Sequence, residues 1–189
     1  VIVGNPPYGA TVDNVQKEYI NNKYSTAEGN FDTYRIFFEL GFDILKPNGY
    51  LGYITPNTYF DLKRSGTKLR KFLFTNTLLK IVEVYNVFPN AVVEPVISIY
   101  QKKQDDDADL EIILVPRNTK LTSTFISDGI RTIRPQSDLH KTDDLTFNYK
   151  IDSNTSITMD RIKQISVSLT THYHVFNGAK PYEVGKGVP

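Results

Sequence analysis

Asn5-Pro6-Pro7-Tyr8 is the part of this 189-residue chain best equipped for chemistry. It comes directly after Val1-Ile2-Val3-Gly4, an apolar, β-branched run that reads as a central strand meeting a loop. Open α/β sheets bind ligands outside the carboxyl ends of their strands, so the location is already suggestive. Pro6 and Pro7 carry no backbone N–H and have a restricted φ, which makes the loop stiff and rich in acceptors. The side-chain oxygen of Asn5 and the carbonyl of Pro6 together match the two protons of an exocyclic amino group. Tyr8 supplies a flat face for stacking a base. An aromatic amine is a poor nucleophile, because its lone pair is delocalised into the ring. Two fixed acceptors on its hydrogens favour a pyramidal nitrogen whose lone pair can attack a methyl carbon. That is preorganisation toward a transition state and needs no general base, in keeping with a loop expected to have no histidine or carboxylate near it.

Downstream of this loop the chain alternates between helical and extended patterns. Residues 11 to 30 are polar and read as a loop with a short helix. From Asp32 to Leu45, Tyr34, Phe37, Phe38, Gly41 and Leu45 recur at helical spacing, and Lys46-Pro47-Asn48-Gly49 ends that helix. Tyr50 to Ile54 reads as a strand stopped by Pro56-Asn57, Gly66 to Phe74 as a helix, and Ile81–Tyr85 and Val96–Tyr100 as strands. The alternation predicts an α/β fold with a mostly parallel sheet covered on both faces. The last two strands are joined by too few residues for a helical crossover, so they should be antiparallel neighbours. After Gln104 the character changes. An acidic turn at Asp105–Asp109 leads to one more strand, Leu110–Val115. Residues 116 to about 168 are rich in Ser, Thr, Asn and Asp, with Asp160–Ile165 helical. We therefore expect residues 1–104 to form one unit and 105–189 a connector and the start of another.

Asn5-Pro6-Pro7-Tyr8 matches motif IV of amino-group methyltransferases that use S-adenosylmethionine. The order of the segments after it resembles the gamma-class adenine-N6 DNA methyltransferases, the TaqI-like and fused Eco57I-type restriction-modification group. Asp32-Thr33-Tyr34-Arg35-Ile36-Phe37-Phe38-Glu39 looks like motif V, and Leu45 through Pro56 like motif VI. Val87-Phe88-Pro89 looks like motif VIII. Val175-Phe176-Asn177-Gly178-Ala179-Lys180-Pro181-Tyr182, with Gly185-Lys186-Gly187, resembles the approach to the target-recognition region of the fused enzymes. The likeness covers residues 1 to about 104 well, 172 to 189 moderately, and leaves the stretch between unassigned. It implies a partial Rossmann-like S-adenosylmethionine-dependent methyltransferase sheet, the C-terminal half of one, followed by the mixed connector. It also implies roles: Asn5, Pro6, Pro7 and Tyr8 at the reacting amine, Tyr8 and Phe88 stacking the target adenine, and Phe37 with Asn5 near the cofactor. The partner is double-stranded DNA whose target adenine leaves the helix, because its amino group is paired inside the duplex. Class members carry the glycine-rich cofactor loop before motif IV, and no G-x-G-x-x-G occurs in this chain. The chain begins without methionine inside a strand, so we read it as a segment of a longer protein. By itself it is expected to be inactive, to bind cofactor weakly and to self-associate along an open strand edge.

Composition bounds the rest. With 40% hydrophobic residues the chain can bury a core, and a net charge of +1 requires any DNA-binding face to be local. No cysteine is present, which excludes disulfides and thiolate metal sites. No apolar run reaches the roughly 18–20 residues that span a bilayer, so the expectation is a cytoplasmic protein without membrane contact. Lys63, Arg64, Lys68, Arg70 and Lys71 form a basic cluster; a solvated helix face is the bland reading and phosphate contact the sharper one. His172 and His174 would share a strand face, but with no third ligand at hand they read as a surface pair, and no metal is expected. Two other functions stay open: transfer to an RNA base or a protein glutamine amide, and a DNA-binding or scaffold segment without activity.

Overall fold

The computed structural model describes residues 1–27, 31–62, 66–85, 87, 94–120, 122, 124–151 and 153–174. The chain divides into two compact units, Val1–Lys150 and Ile151–Pro189. In the first, six strands form one sheet: β1 (Ile2–Gly4), β2 (Tyr50–Pro56), β3 (Thr77–Glu83), β4 (Pro95–Gln101), β5 (Asp109–Leu114) and β6 (Ile130–Pro135), in the order β1-β2-β4-β3-β5-β6. β1 runs parallel to β2 and β3 parallel to β5, while β2–β4, β3–β4 and β5–β6 are antiparallel. The sheet is therefore mixed, not mostly parallel as expected. The antiparallel pairing of β3 and β4 agrees with the expectation from their short connection.

The helices are α1 (Asn14–Lys23), α2 (Tyr34–Ile44) and α3 (Thr67–Leu73). α1 is longer than the polar sequence suggested, because it starts on a capping box. Asp13 Oδ1 accepts the Gln16 N–H at 2.8 Å, and Gln16 Oε1 accepts the Asp13 N–H at 3.0 Å. α2 ends where Pro47 cannot continue it and Asn48 takes φ 60°, a left-handed turn that Asn tolerates. Its last carbonyls are not orphaned: the Lys102 ammonium donates to the Phe42 and Leu45 oxygens.

The apolar stripe of α2 packs on β2. Tyr34, Phe38 and Phe42 are buried, each contributing about 1.5–3 kcal/mol by burial. Gly41 is required at this contact, because a Cβ there would meet the Tyr53 hydroxyl at 2.7 Å and Leu51 Cδ1 at 2.9 Å. The same core takes in Leu69 and Leu73 from α3, Tyr100 from β4, Leu110 and Ile112 from β5, and Leu139, Phe147 and Tyr149. A smaller cluster of Val82, Val84, Ile113 and Val115 forms elsewhere on the sheet, with Ile54 and Ile97 half-buried against it.

The expected break between residues 104 and 105 falls inside the sheet, on the turn between β4 and β5. β5 is apolar enough to lie between β3 and β6, and the segment after β6 returns to the core. Gln136 fastens it by copying a strand. Its amide oxygen accepts the Leu78 N–H at 3.3 Å and its amide nitrogen donates to the Leu78 carbonyl at 2.9 Å, beside a register shift in β3. The second unit holds α4 (Ser153–Ile165) and α5 (Leu169–His172). His172 is thus the last residue of a short helix, not part of the strand expected to pair it with His174. No helix among the described residues is long and apolar enough to cross a membrane.

Candidate active site

β1, β2 and β3 end at the same edge of the sheet, since β1 and β2 are parallel and β4 reverses between β2 and β3. In the register of β1 and β2, Gly4 pairs with Tyr53, so Asn5-Pro6-Pro7-Tyr8 leaves the sheet level with Ile54–Pro56. Asn5 is exposed, Pro6 buried, Pro7 exposed and Tyr8 half-buried against the main core. Partial burial pushes the Tyr8 phenol above its ordinary value, so it stays neutral at physiological pH.

The loop is held from α2. Thr33, 6% exposed at the start of that helix, donates its hydroxyl to the Pro7 carbonyl at 2.6 Å. One residue earlier, the Asp32 carboxylate accepts the Gly9 N–H at 2.8 Å. A carboxylate does therefore reach the loop, contrary to expectation, but it binds backbone beyond Tyr8. Gly9 has φ 70°, a left-handed conformation that suits glycine. Tyr53 completes the local frame: its hydroxyl donates to the Phe37 carbonyl at 3.3 Å, and its ring lies where a Cβ on Gly4 would touch it.

Phe37 is half-buried and lines, with Pro7, Thr33, Ile36 and the α1 residues Tyr19 and Ile20, an almost wholly apolar cavity of about 610 Å³. Its walls suit a flat heterocycle; a charged chain would have to find its partners elsewhere. Phe37 thus shares this cavity with Pro7 of the acceptor loop. The other stacking candidate, Phe88, lies outside the described residues, as do Lys63, Arg64 and the Val175–Tyr182 and Gly185–Gly187 stretch.

The basic cluster separates into two kinds of residue. Lys68 and Lys71 are exposed. Arg70, expected among possible phosphate contacts, is 0% exposed. Its Nη1 donates to the Tyr59 and Leu62 carbonyls at 2.6 and 3.0 Å, and its Nε and Nη2 to the Asp144 carbonyl at 3.0 and 2.8 Å. Gly66 leaves room for this guanidinium, which a Cβ there would strike. A cation so enclosed cannot reach a phosphate.

Along the same edge lies a polar cluster that sequence reasoning missed. Glu83, at the end of β3, accepts from the Tyr149 hydroxyl at 3.0 Å and the Lys150 ammonium at 2.5 Å. Asn57 donates to the Tyr149 oxygen at 3.2 Å, and Lys150 also pairs with Glu94 at 2.9 Å. Burial works to discharge Lys150, but Glu83 and Glu94 hold its ammonium above the ordinary lysine range. No local pattern could have announced contacts between residues 66 and 92 positions apart. Among the described residues no group of His, Cys, Asp and Glu could hold a metal ion.

Comparison with known proteins bears on this geometry. A "Type II restriction enzyme and methyltransferase RM.Eco57I" from Escherichia coli is 37% identical over 115 residues, covering 57% of this chain and 11% of that protein. A "Putative type II restriction enzyme and methyltransferase RM.MjaORFECS2P" from Methanocaldococcus jannaschii is 38% identical over 126 residues, covering 65% of this chain and 10% of that one. The chain thus spans about a tenth of the length of these curated relatives. The crystal structure of a modification subunit of a putative type I restriction enzyme from Vibrio vulnificus YJ016 shares the fold, with a TM-score of 0.62 at 17% identity over 84% of this chain and 39% of that one. Residues 1–88, which carry the acceptor loop, α2 and β2, match the Eco57I restriction-modification methylase family, so the likeness read from those residues is that of a restriction-modification methylase.

Proposed function

We propose that the protein containing these residues methylates the N6 amino group of adenine in DNA, within a restriction-modification system. The observation that carries the reading is the acceptor loop itself: Asn5 exposed at the carboxyl end of β1, on a backbone pinned by Thr33 and Asp32. Asn5 Oδ1 and the Pro6 carbonyl accept the two amine hydrogens, which turns the nitrogen lone pair toward the incoming carbon. S-adenosylmethionine, when bound, supplies the electrophilic methyl group. Tyr8 lies against one face of the extruded base, and Phe88 against the other. Phe37 offers a ring beside the loop on the cofactor's side. The new N–C bond would form as the methyl's bond to the sulfonium sulfur breaks, and the surplus proton on the nitrogen would leave along the hydrogen bonds to Asn5 and Pro6 into water, which the exposed Asn5 adjoins. The base must be extruded to reach this corner, at a cost of a few kcal/mol in unpairing and unstacking.

Lacking a glycine-rich loop, the 189 residues alone should bind cofactor weakly and transfer little. The exposed Val1 and Val3 of the β1 segment, at one end of the described sheet, favour self-association of such a piece. Residues beyond Lys150 are proposed to lead into a target-recognition region. The test is to incubate the full-length protein with labelled cofactor and DNA, RNA or protein. Label at adenine N6 in DNA is expected; label only in RNA or protein overturns the substrate assignment.

A further inference from the structure

We infer that Asp32 and Thr33 are positioning residues for the methyl transfer proposed above, setting the pose of the amine-holding loop from the two positions that lead into α2. Pro6 and Pro7 have no N–H, so the backbone between Asn5 and Tyr8 cannot be anchored through its own donors at those two residues. Its remaining handles are carbonyls, which need a side-chain donor, and the N–H groups farther along. Both kinds are gripped. Thr33 Oγ1 donates to the Pro7 carbonyl at 2.6 Å, and Asp32 Oδ1 accepts the Gly9 N–H at 2.8 Å, so the two bonds bracket Tyr8. Neither bond uses the Pro6 carbonyl, which is left for the amine. Thr33 also stands one helical turn before Phe37, and both line the same cavity with Pro7. One helix end therefore sets the distance between the amine-holding corner and the cofactor-side ring. An error of about 1 Å in such a placement can cost on the order of a hundredfold in rate.

The inference rests on the methyltransferase reading, and the experiment separates the two. In the full-length protein, Thr33→Val removes the hydroxyl at nearly constant shape, Thr33→Ser restores it, and Asp32→Ala removes the second anchor. Thr33→Val should lower kcat by about tenfold to a hundredfold while KM for DNA and for cofactor moves less than about threefold, and Thr33→Ser should recover most of the loss. In Asp32→Ala, hydrogen exchange at the Gly9 amide should rise about tenfold with β2 and β4 unchanged, a readout independent of turnover. Unchanged kcat in Thr33→Val, in a protein that Asn5→Ala inactivates, overturns the positioning role and leaves the methyltransferase reading intact. Unchanged Gly9 exchange in Asp32→Ala also overturns it. A parent protein that methylates no DNA overturns the function itself, and the role for these two residues with it.

Discussion

The Asn5–Tyr8 loop and the Arg70 node solve opposite problems with similar parts. Each fastens irregular backbone next to the sheet through side-chain bonds to main-chain groups. At Arg70 every nitrogen of the guanidinium is engaged, mostly by the carbonyls of Tyr59, Leu62 and Asp144, and the residue has no contact with solvent. At the loop, Thr33 and Asp32 fasten only the backbone of Pro7 and Gly9, while Asn5 stays exposed. A group serves chemistry when bonding capacity remains after the fold is satisfied. It serves structure when none does.

The sharpest way to break this contrast is Asn5→Ala. Turnover should fall by at least about a hundredfold with DNA binding and the melting temperature nearly unchanged; a normal rate would remove Asn5 from the chemistry. Arg70→Met should behave in reverse. Three carbonyls lose a charged donor, and stability should drop by about 3 kcal/mol or more, read as a lower denaturant midpoint at constant m-value. Any loss of activity in that variant should vanish under conditions that refold it.

Acid sharpens the comparison at the level of charge. Glu39 is opposed by burial, but the N–H groups of Ser25 and Thr26 outweigh that and hold its carboxyl below the usual range. Asp138 is likewise opposed by burial and held down by Lys141 and Arg134. Thr146 lowers Asp144, whose carbonyl Arg70 grips. A depressed folded pKa contributes stability above the unfolded value, and that stability is lost as pH falls through the folded one. Thermal melts should therefore show progressive destabilisation below the ordinary Asp and Glu values of about 4. A melting temperature flat from neutrality to strong acid would contradict these networks. The smallest effect concerns the exposed half of the basic cluster. Lys68→Ala with Lys71→Ala should change stability by less than about 0.5 kcal/mol. If these lysines meet phosphate, the salt slope of DNA binding should fall by about 1–2; an unchanged slope assigns them to a solvated helix face.

The helices and strands up to residue 101 were largely legible because each carries its own period: α2 repeats its aromatic residues on one face, and β4 alternates buried Val96, Ser98 and Tyr100 with half-buried isoleucines. α1 was undervalued although Asp13 and Gln16 spelled its cap. The stretch from Ile130 to Lys150 reads as connector because it is polar. Arg134, Gln136 and Asp138 are nonetheless buried, each satisfied by a partner. Hydropathy cannot distinguish a polar residue that faces water from one whose partner arrives from a distant strand.

What the sequence determined by itself is local: a stiff, donor-poor corner after a short strand, a helix with an aromatic stripe, and the turns that stop them. Those features come from proline's missing N–H, from side-chain periodicity and from the conformations that Asn and Gly permit. The tertiary structure decided which charges are spent. It closed Arg70 into carbonyls, joined β5 and β6 to the same sheet, and brought Asp32 and Thr33 across 23 and 26 residues to the loop. Bonds of that reach depend on how the whole chain packs, and no window of neighbouring residues contains both ends.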